Sequence, residues 1–253
     1  MARIVVKVGS AVLTEQNRIA KERLQNLVDF LAQLKKTNDV VLVSSGAVAA
    51  GYTELSLDKK LLSNRQALAS IGQPLLMHRY KKKFEEHNIV VSQVLVTAAN
   101  FETTTQSERL KSTVETLLHH GVIPIVNEND ATATQELEMG DNDQLSAYVA
   151  HNFNADLLVI LSDIDAYYTK DPRAHDDAEV LKVVNTIKPE ELERKVTPNS
   201  SFATGGIVTK LKAASYLLAN DSQMYLASGF DLSDAKSFLL DNTHNGGTLF
   251  KGQ

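Results

Sequence analysis

Five short apolar runs in this chain each break off into small, polar or charged residues that no core would require, and these endings limit the fold more than any other feature. Residues 4–8 run into Gly9 and Ser10, and residues 40–43 into Ser44, Ser45 and Gly46. Residues 122–126 run into Asn127, Glu128, Asn129 and Asp130. Residues 157–161 run into Ser162 and Asp163, and residues 224–226 into Ala227, Ser228 and Gly229. Near-continuous apolar runs mark strands buried on both faces of a parallel sheet. Such sheets bind ligands outside the carboxyl ends of their strands. The five endings therefore predict one binding face built from strand tips.

The segments between the runs carry helical patterns. In residues 21–36, Leu24, Leu27, Val28, Leu31 and Leu34 recur at helical spacing. Helical stretches are expected over 61–71 and 74–87, a third strand over 89–96, and a helix over 107–120 that stops at Gly121. A helix over 142–153 precedes the run that starts at Leu157, and a last long one spans Gly206–Leu218. Residues 165–177 are polar and turn-rich, which suits a loop or hairpin. Short strands near Met224 and near Thr248 to Phe250 complete the sheet. Strands alternating with helices argue for a mainly parallel sheet covered on both faces, in a single domain.

Composition narrows the partners. The net charge of the 253 residues is -5, so no basic surface points to nucleic acid. Without cysteine, disulfides and thiolate metal sites are excluded. No apolar run approaches the roughly 20 residues of a membrane span, so a soluble cytoplasmic protein is expected.

Several residues have two readings. Lys7 lies inside an apolar strand, two positions before Gly9: it either snorkels from an edge or aims a cation at a phosphate over the Gly9-Ser10 turn. Ser44-Ser45-Gly46 opens a small-residue helix that either packs tightly or admits a ligand to its N-terminus. Gly46 and Gly51 have Walker A spacing, but Tyr52-Thr53 stands where Lys-Ser/Thr is required, so this is no P-loop. Asn127 to Asp130 and Gly140-Asp141-Asn142-Asp143 put more carboxylates and amides together than capping needs. An acidic strand tip suits an α-ammonium and a helix N-terminus suits a carboxylate or phosphate, so a zwitterionic amino acid would use both. Thr204-Gly205-Gly206, with Lys210 in the following turns, is either a plain loop or a polyphosphate cradle. Asp163 could reach a nucleotide or a hydrated Mg²⁺, whereas Asp171-Pro172 equally makes a turn. The histidines show no metal-ligand spacing.

Taken together, the segments around Lys7, Ser44 to Ala47, Ala69 to Gln73, Asn127 to Ala131, Gly140 to Asp143, Ser162-Asp163 with Tyr168 and Asp171-Pro172-Arg173, and Thr204 to Lys210 resemble the amino acid kinase family. Within it they are most similar to the branch that phosphorylates the side-chain carboxylate of L-glutamate. The resemblance implies an α/β fold, a three-layer αβα sandwich with a mainly parallel sheet of about eight strands. It implies transfer of the ATP γ-phosphoryl, with Mg²⁺, to give L-glutamyl 5-phosphate, the first step of proline synthesis. By the same resemblance Lys7 and Lys210 would contact the transferring phosphoryl and Asp143 would orient them. Ser45, Asp130 and Asn142 would bind glutamate. Lys7, Gly9, Ser162, Asp163, Thr204, Gly205, Gly206, Ile207, Val208, Thr209 and Lys210 would bind ATP. Proline as a feedback inhibitor and a dimer or tetramer are further implications.

The chain departs from the family pattern at Ser44 and Ser162 (threonine is common), at Ala11, at Glu138 (many relatives carry a basic residue) and at Ala166 (glycine is usual). It ends at Gln253, directly after the kinase-like part. The expectation is a single domain over 1–253 without the C-terminal PUA domain of many bacterial relatives. Two other readings stay open: a sibling kinase acting on N-acetylglutamate, aspartate, carbamate or a nucleoside monophosphate, and a regulator that binds these ligands without turnover.

Overall fold

All five apolar runs become strands of one sheet, with their polar endings at the same edge. The computed structural model describes residues 1–132, 142–193 and 206–252. The chain starts with β1 (Arg3–Val8), α1 (Ser10–Leu13), a hairpin of β2 (Thr14–Glu15) and β3 (Arg18–Ile19), α2 (Lys21–Leu34), β4 (Asp39–Ser44) and α3 (Ala47–Tyr52). It continues through α4 (Leu62–Glu85), β5 (Val91–Val96), α5 (Ala99–Glu102), α6 (Thr104–His119), β6 (Ile123–Glu128), α7 (Asn142–Asn152) and β7 (Leu157–Ser162). The last elements are β8 (Val183–Val184), α8 (Pro189–Leu192), α9 (Gly206–Leu218), β9 (Met224–Ser228), α10 (Ser233–Leu239) and β10 (Thr248–Phe250).

Among the described residues eight strands form one sheet in the order β5-β6-β4-β1-β7-β9-β10-β8. The six strands from β5 to β9 in that order are parallel. β10 runs antiparallel to β9, and β8 pairs parallel with β10. After β1 the chain builds first on one side, through β4, β6 and β5, and then on the other, through β7 and β9. At such a switch the crevice opens beyond the carboxyl ends of the central strands.

Side-chain alternation along β1 divides the core. Ile4, Val6 and Val8 join one cluster with Leu24, Leu27 and Leu31 of α2 and Leu76, Tyr80 and Phe84 of α4. Val5 joins the opposite cluster with Val114 and Leu118 of α6, Leu145 and Val149 of α7, and Leu211 and Leu217 of α9. Helices thus cover both faces, which makes the three layers expected. Lys7 follows Val5 at the strand period of two, so it emerges on the face of α7 and α9.

Two expected helices are one. Pro74 lies inside α4, which runs unbroken from Leu62 to Glu85. An interior proline costs a helix about 3 kcal/mol. Here tertiary packing outweighs that cost, because α4 crosses α3 backbone to backbone. A Cβ on Gly72 would stand 1.8 Å from the Ala47 carbonyl oxygen, and one on Gly51 1.9 Å from that of Leu68. Gly51 is therefore a packing residue. Gly121 ends the helix before β6 with φ +73, as expected.

Candidate active site

Lys7 and Lys210, at opposite ends of the chain, meet on one carboxylate. Lys7 leaves β1 one residue before its end, and Asp143 is the second residue of α7. Lys7 Nζ donates to Asp143 Oδ1 at 2.5 Å. Lys210 Nζ, in the second turn of α9, donates to Asp143 Oδ2 at 3.1 Å and to the Gly206 carbonyl at 3.0 Å. Thr209 Oγ1 donates to Asp143 Oδ2 at 2.8 Å. Lys7 is 2% exposed, Lys210 3% and Asp143 0%. Burial alone would push Asp143 up, but the two ammonium groups prevail and hold its carboxyl well below the usual range. The first turn of a helix also favours a negative charge. Gly9 leaves the backbone bare beside this group: a Cβ there would lie 3.7 Å from Lys7 Nζ.

A second polar group runs from the tip of β4 across to the sheet edge. Gly46, with φ +111, turns the chain from β4 into α3 and leaves Ser45 at the strand tip. Asn142 Nδ2 donates to Ser45 Oγ at 2.8 Å and to Asn127 Oδ1 at 3.0 Å. Asn127 Nδ2 donates to Gln73 Oε1, and Gln73 Nε2 to Gln93 Oε1, each at 3.0 Å. Beside this line is a cavity of about 220 Å³ lined by Gln73, Gln93, Glu128, Asn129 and Asp130 among others. Because α7 begins with Asn142 and Asp143 in succession, one helix end serves both groups.

On the other side of β1, Ser162 and Asp163 follow β7. Ser162 Oγ donates to Asp163 Oδ1 at 2.9 Å, and the Ser162 carbonyl accepts from the Gly229 N–H at 2.7 Å. Gly206, Ile207, Val208 and Thr209 form the first turn of α9. The Asp171-Pro172-Arg173 segment is held locally: the Arg173 N–H and Nε donate to Asp171 Oδ1 at 3.0 and 3.2 Å. Ala166 is absent from the residues with positive φ, so this loop has no need of a glycine there.

The structure thus joins Lys7, Asp143 and Lys210, joins Ser45 to Asn142, and puts Asp130 on the cavity wall. Glu138, Gly140, Asp141, Thr204 and Gly205 lie outside the described residues. Two partners went unassigned in the sequence, Asn127 and Gln73. Gln73 carried two signals: it closes the Ala69 to Gln73 segment of the resemblance, and it is a polar residue on a face of α4 that otherwise buries Leu68, Ala69, Gly72 and Leu76.

The sequence profile of the amino acid kinase family matches residues 2–228. The glutamate 5-kinase of Wolinella succinogenes is 54% identical over 99% of this chain and 98% of its own length. That of Leishmania donovani is 52% identical over 98% of this chain and 94% of its own length. Among solved structures, an isopentenyl phosphate kinase superposes with a TM-score of 0.69 over 98% of this chain and 100% of its own, at 16% identity. The UMP kinase of Ureaplasma parvum gives 0.66 over 99% and 98%, at 12% identity. These distant structures share the fold.

Proposed function

Because the chain belongs to the amino acid kinase family, we propose that it transfers the γ-phosphoryl group of ATP to the side-chain carboxylate of L-glutamate, giving L-glutamyl 5-phosphate for proline synthesis. The observation that carries this reading is the convergence of Lys7 and Lys210 on Asp143. A phosphoryl group in transfer spreads negative charge over its oxygens, so its enzyme has to supply position and positive charge. Two lysines buried beside a bare glycine and two helix N-termini suit that task. Asp143 keeps the ammonium groups together and aligned in a site from which water is largely excluded.

No general base is needed. A side-chain carboxylate has an ordinary pKa near 4.3 and is already an anion at neutral pH. One of its oxygens forms the bond to the γ-phosphorus as the bond to the β,γ-bridging oxygen breaks, and ADP leaves with that electron pair. Ser45, Asn142 and Asp130 take the amino acid; Lys7, Gly9, Ser162, Asp163 and residues 204–210 take ATP. Among the described residues no three His, Asp or Glu side chains gather to hold a metal. A Mg²⁺ arriving with ATP would keep phosphate oxygens and water among its donors, as is usual for this hard cation. The family resemblance extends the proposal to proline as a feedback inhibitor and to a dimer or tetramer.

The test is ADP release from Mg-ATP with L-glutamate, L-aspartate, N-acetyl-L-glutamate, carbamate or UMP, with hydroxylamine present to trap an acyl phosphate. Turnover with L-glutamate and a trapped hydroxamate is the expected result. Turnover with another acceptor alone would overturn the substrate, and silence with all five would favour a regulator.

A further inference from the structure

The hydrogen bonds from Ser45 to Gln93 run in one direction, and a backbone group sets it. An amide side chain can be turned end for end, so its orientation is fixed only by a partner that can do nothing but donate or accept. Here that partner is the Glu128 backbone N–H, which donates to Asn127 Oδ1 at 2.9 Å. With Oδ1 held there, the Asn127 amide nitrogen has to face Gln73 Oε1, and Gln73 Nε2 in turn faces Gln93 Oε1. On the other side, Asn127 Oδ1 requires a donor from Asn142, whose Nδ2 spends its two protons on Asn127 and Ser45. Among the described residues Asn142 Oδ1 accepts no hydrogen bond, and the Ser45 hydroxyl proton is not donated. The line therefore leaves the site one carbonyl oxygen, which suits an ammonium, and one hydroxyl proton, which suits a carboxylate.

We propose that Gln73 is a positioning residue for the acceptor amino acid: through Asn127 it holds Asn142 and Ser45 in the polarity that a free α-ammonium and α-carboxylate require. This inference rests on the functional reading above. Gln73 is suited to the role because it is 7% exposed and belongs to a helix locked against α3 at Gly51 and Gly72. Its Oε1 accepts the Asn127 proton that would otherwise be buried without a partner. A side chain that only filled space would be replaced without loss by one of like shape.

That difference gives the test. Gln73→Met keeps the shape and removes both hydrogen bonds, whereas Gln73→Glu keeps an oxygen for Asn127, and the exposed Gln93 amide can turn to donate to it. Loss of a buried hydrogen-bond partner predicts a KM for L-glutamate raised about tenfold in Gln73→Met, with KM for ATP and kcat little moved. Gln73→Glu should lie closer to the parent protein. An unchanged KM for L-glutamate in Gln73→Met, or a worse value in Gln73→Glu, overturns the inference. If Gln73→Met does not fold, Gln93→Leu on the exposed edge decides: a smaller rise confined to L-glutamate supports the inference, and no rise overturns it. A parent protein without glutamate-dependent turnover would sink the functional reading and this inference together. Normal parent turnover with an unmoved Gln73→Met would sink the inference alone.

Discussion

Lys7 and Lys210 hold the two oxygens of one carboxylate: Lys7 Nζ lies 2.5 Å from Asp143 Oδ1 and Lys210 Nζ 3.1 Å from Asp143 Oδ2. The first lysine comes from the central strand and the second from a helix more than two hundred residues later. Both lysines are buried, and a buried charge is costly unless it is paired. Asp143 is thus the shared counterion of two buried lysines.

Replacing either lysine by methionine should keep the fold and remove charge stabilisation from the transferring group. Loss of one such donor typically lowers kcat about 100-fold or more. Steady-state kinetics on Lys7→Met and Lys210→Met should show this fall, with circular dichroism unchanged. An undiminished kcat in either variant would remove that lysine from the site.

Asp143→Asn leaves two buried ammonium groups without their counterion, a loss of about 3–5 kcal/mol in comparable cases. The dependence on pH has a definite sign. Asp143 has a depressed pKa in the folded protein, so its contribution is present above the unfolded value near 3.8 and is lost as pH falls through the folded one. Urea midpoints of parent and Asp143→Asn should differ most at neutral pH and converge below about pH 4. A gap that stays constant or widens in acid would contradict this.

Ser45→Ala and Asn142→Ala should each raise KM for L-glutamate while leaving KM for ATP in place. The two side chains are bonded at 2.8 Å, so their effects should not add. Coupling of about 0.5–3 kcal/mol is expected from a double-mutant cycle on kcat/KM. Strict additivity would mean that the bond between Ser45 and Asn142 does not couple their action on the substrate.

Much of this architecture is legible in the sequence because it is local. An apolar run and its polar ending are a few residues apart, as are Lys7 and Gly9 at one strand end and Asn142 and Asp143 at one helix start. What is hidden depends on distance or on competition. The Lys7–Asp143 contact spans 136 residues, and no spacing rule reports it. Pro74 suggested two helices because the local cost of proline was visible and the Gly51–Gly72 contact that outweighs it was not. β8 is two residues long and exists through its partner β10, so it has no pattern of its own.

The Gly51–Gly72 crossing makes a prediction about stability alone. A methyl group at either position would meet a backbone carbonyl at under 2 Å, which only movement of α3 from α4 can relieve. Gly72→Ala should therefore lose about 3 kcal/mol or more, at the upper end of overpacking effects. Thermal unfolding checks this; an unchanged midpoint would mean that the helices part freely.

The central claim is that a carboxylate oxygen of the amino acid becomes bonded to phosphorus. It is tested most directly with L-glutamate labelled with ¹⁸O in its side-chain carboxylate, turned over with Mg-ATP and hydroxylamine. Hydroxylamine attacks the acyl carbon and releases phosphate with the bridging oxygen still attached. The account predicts phosphate carrying one ¹⁸O atom for each hydroxamate formed. Phosphate free of label would contradict it.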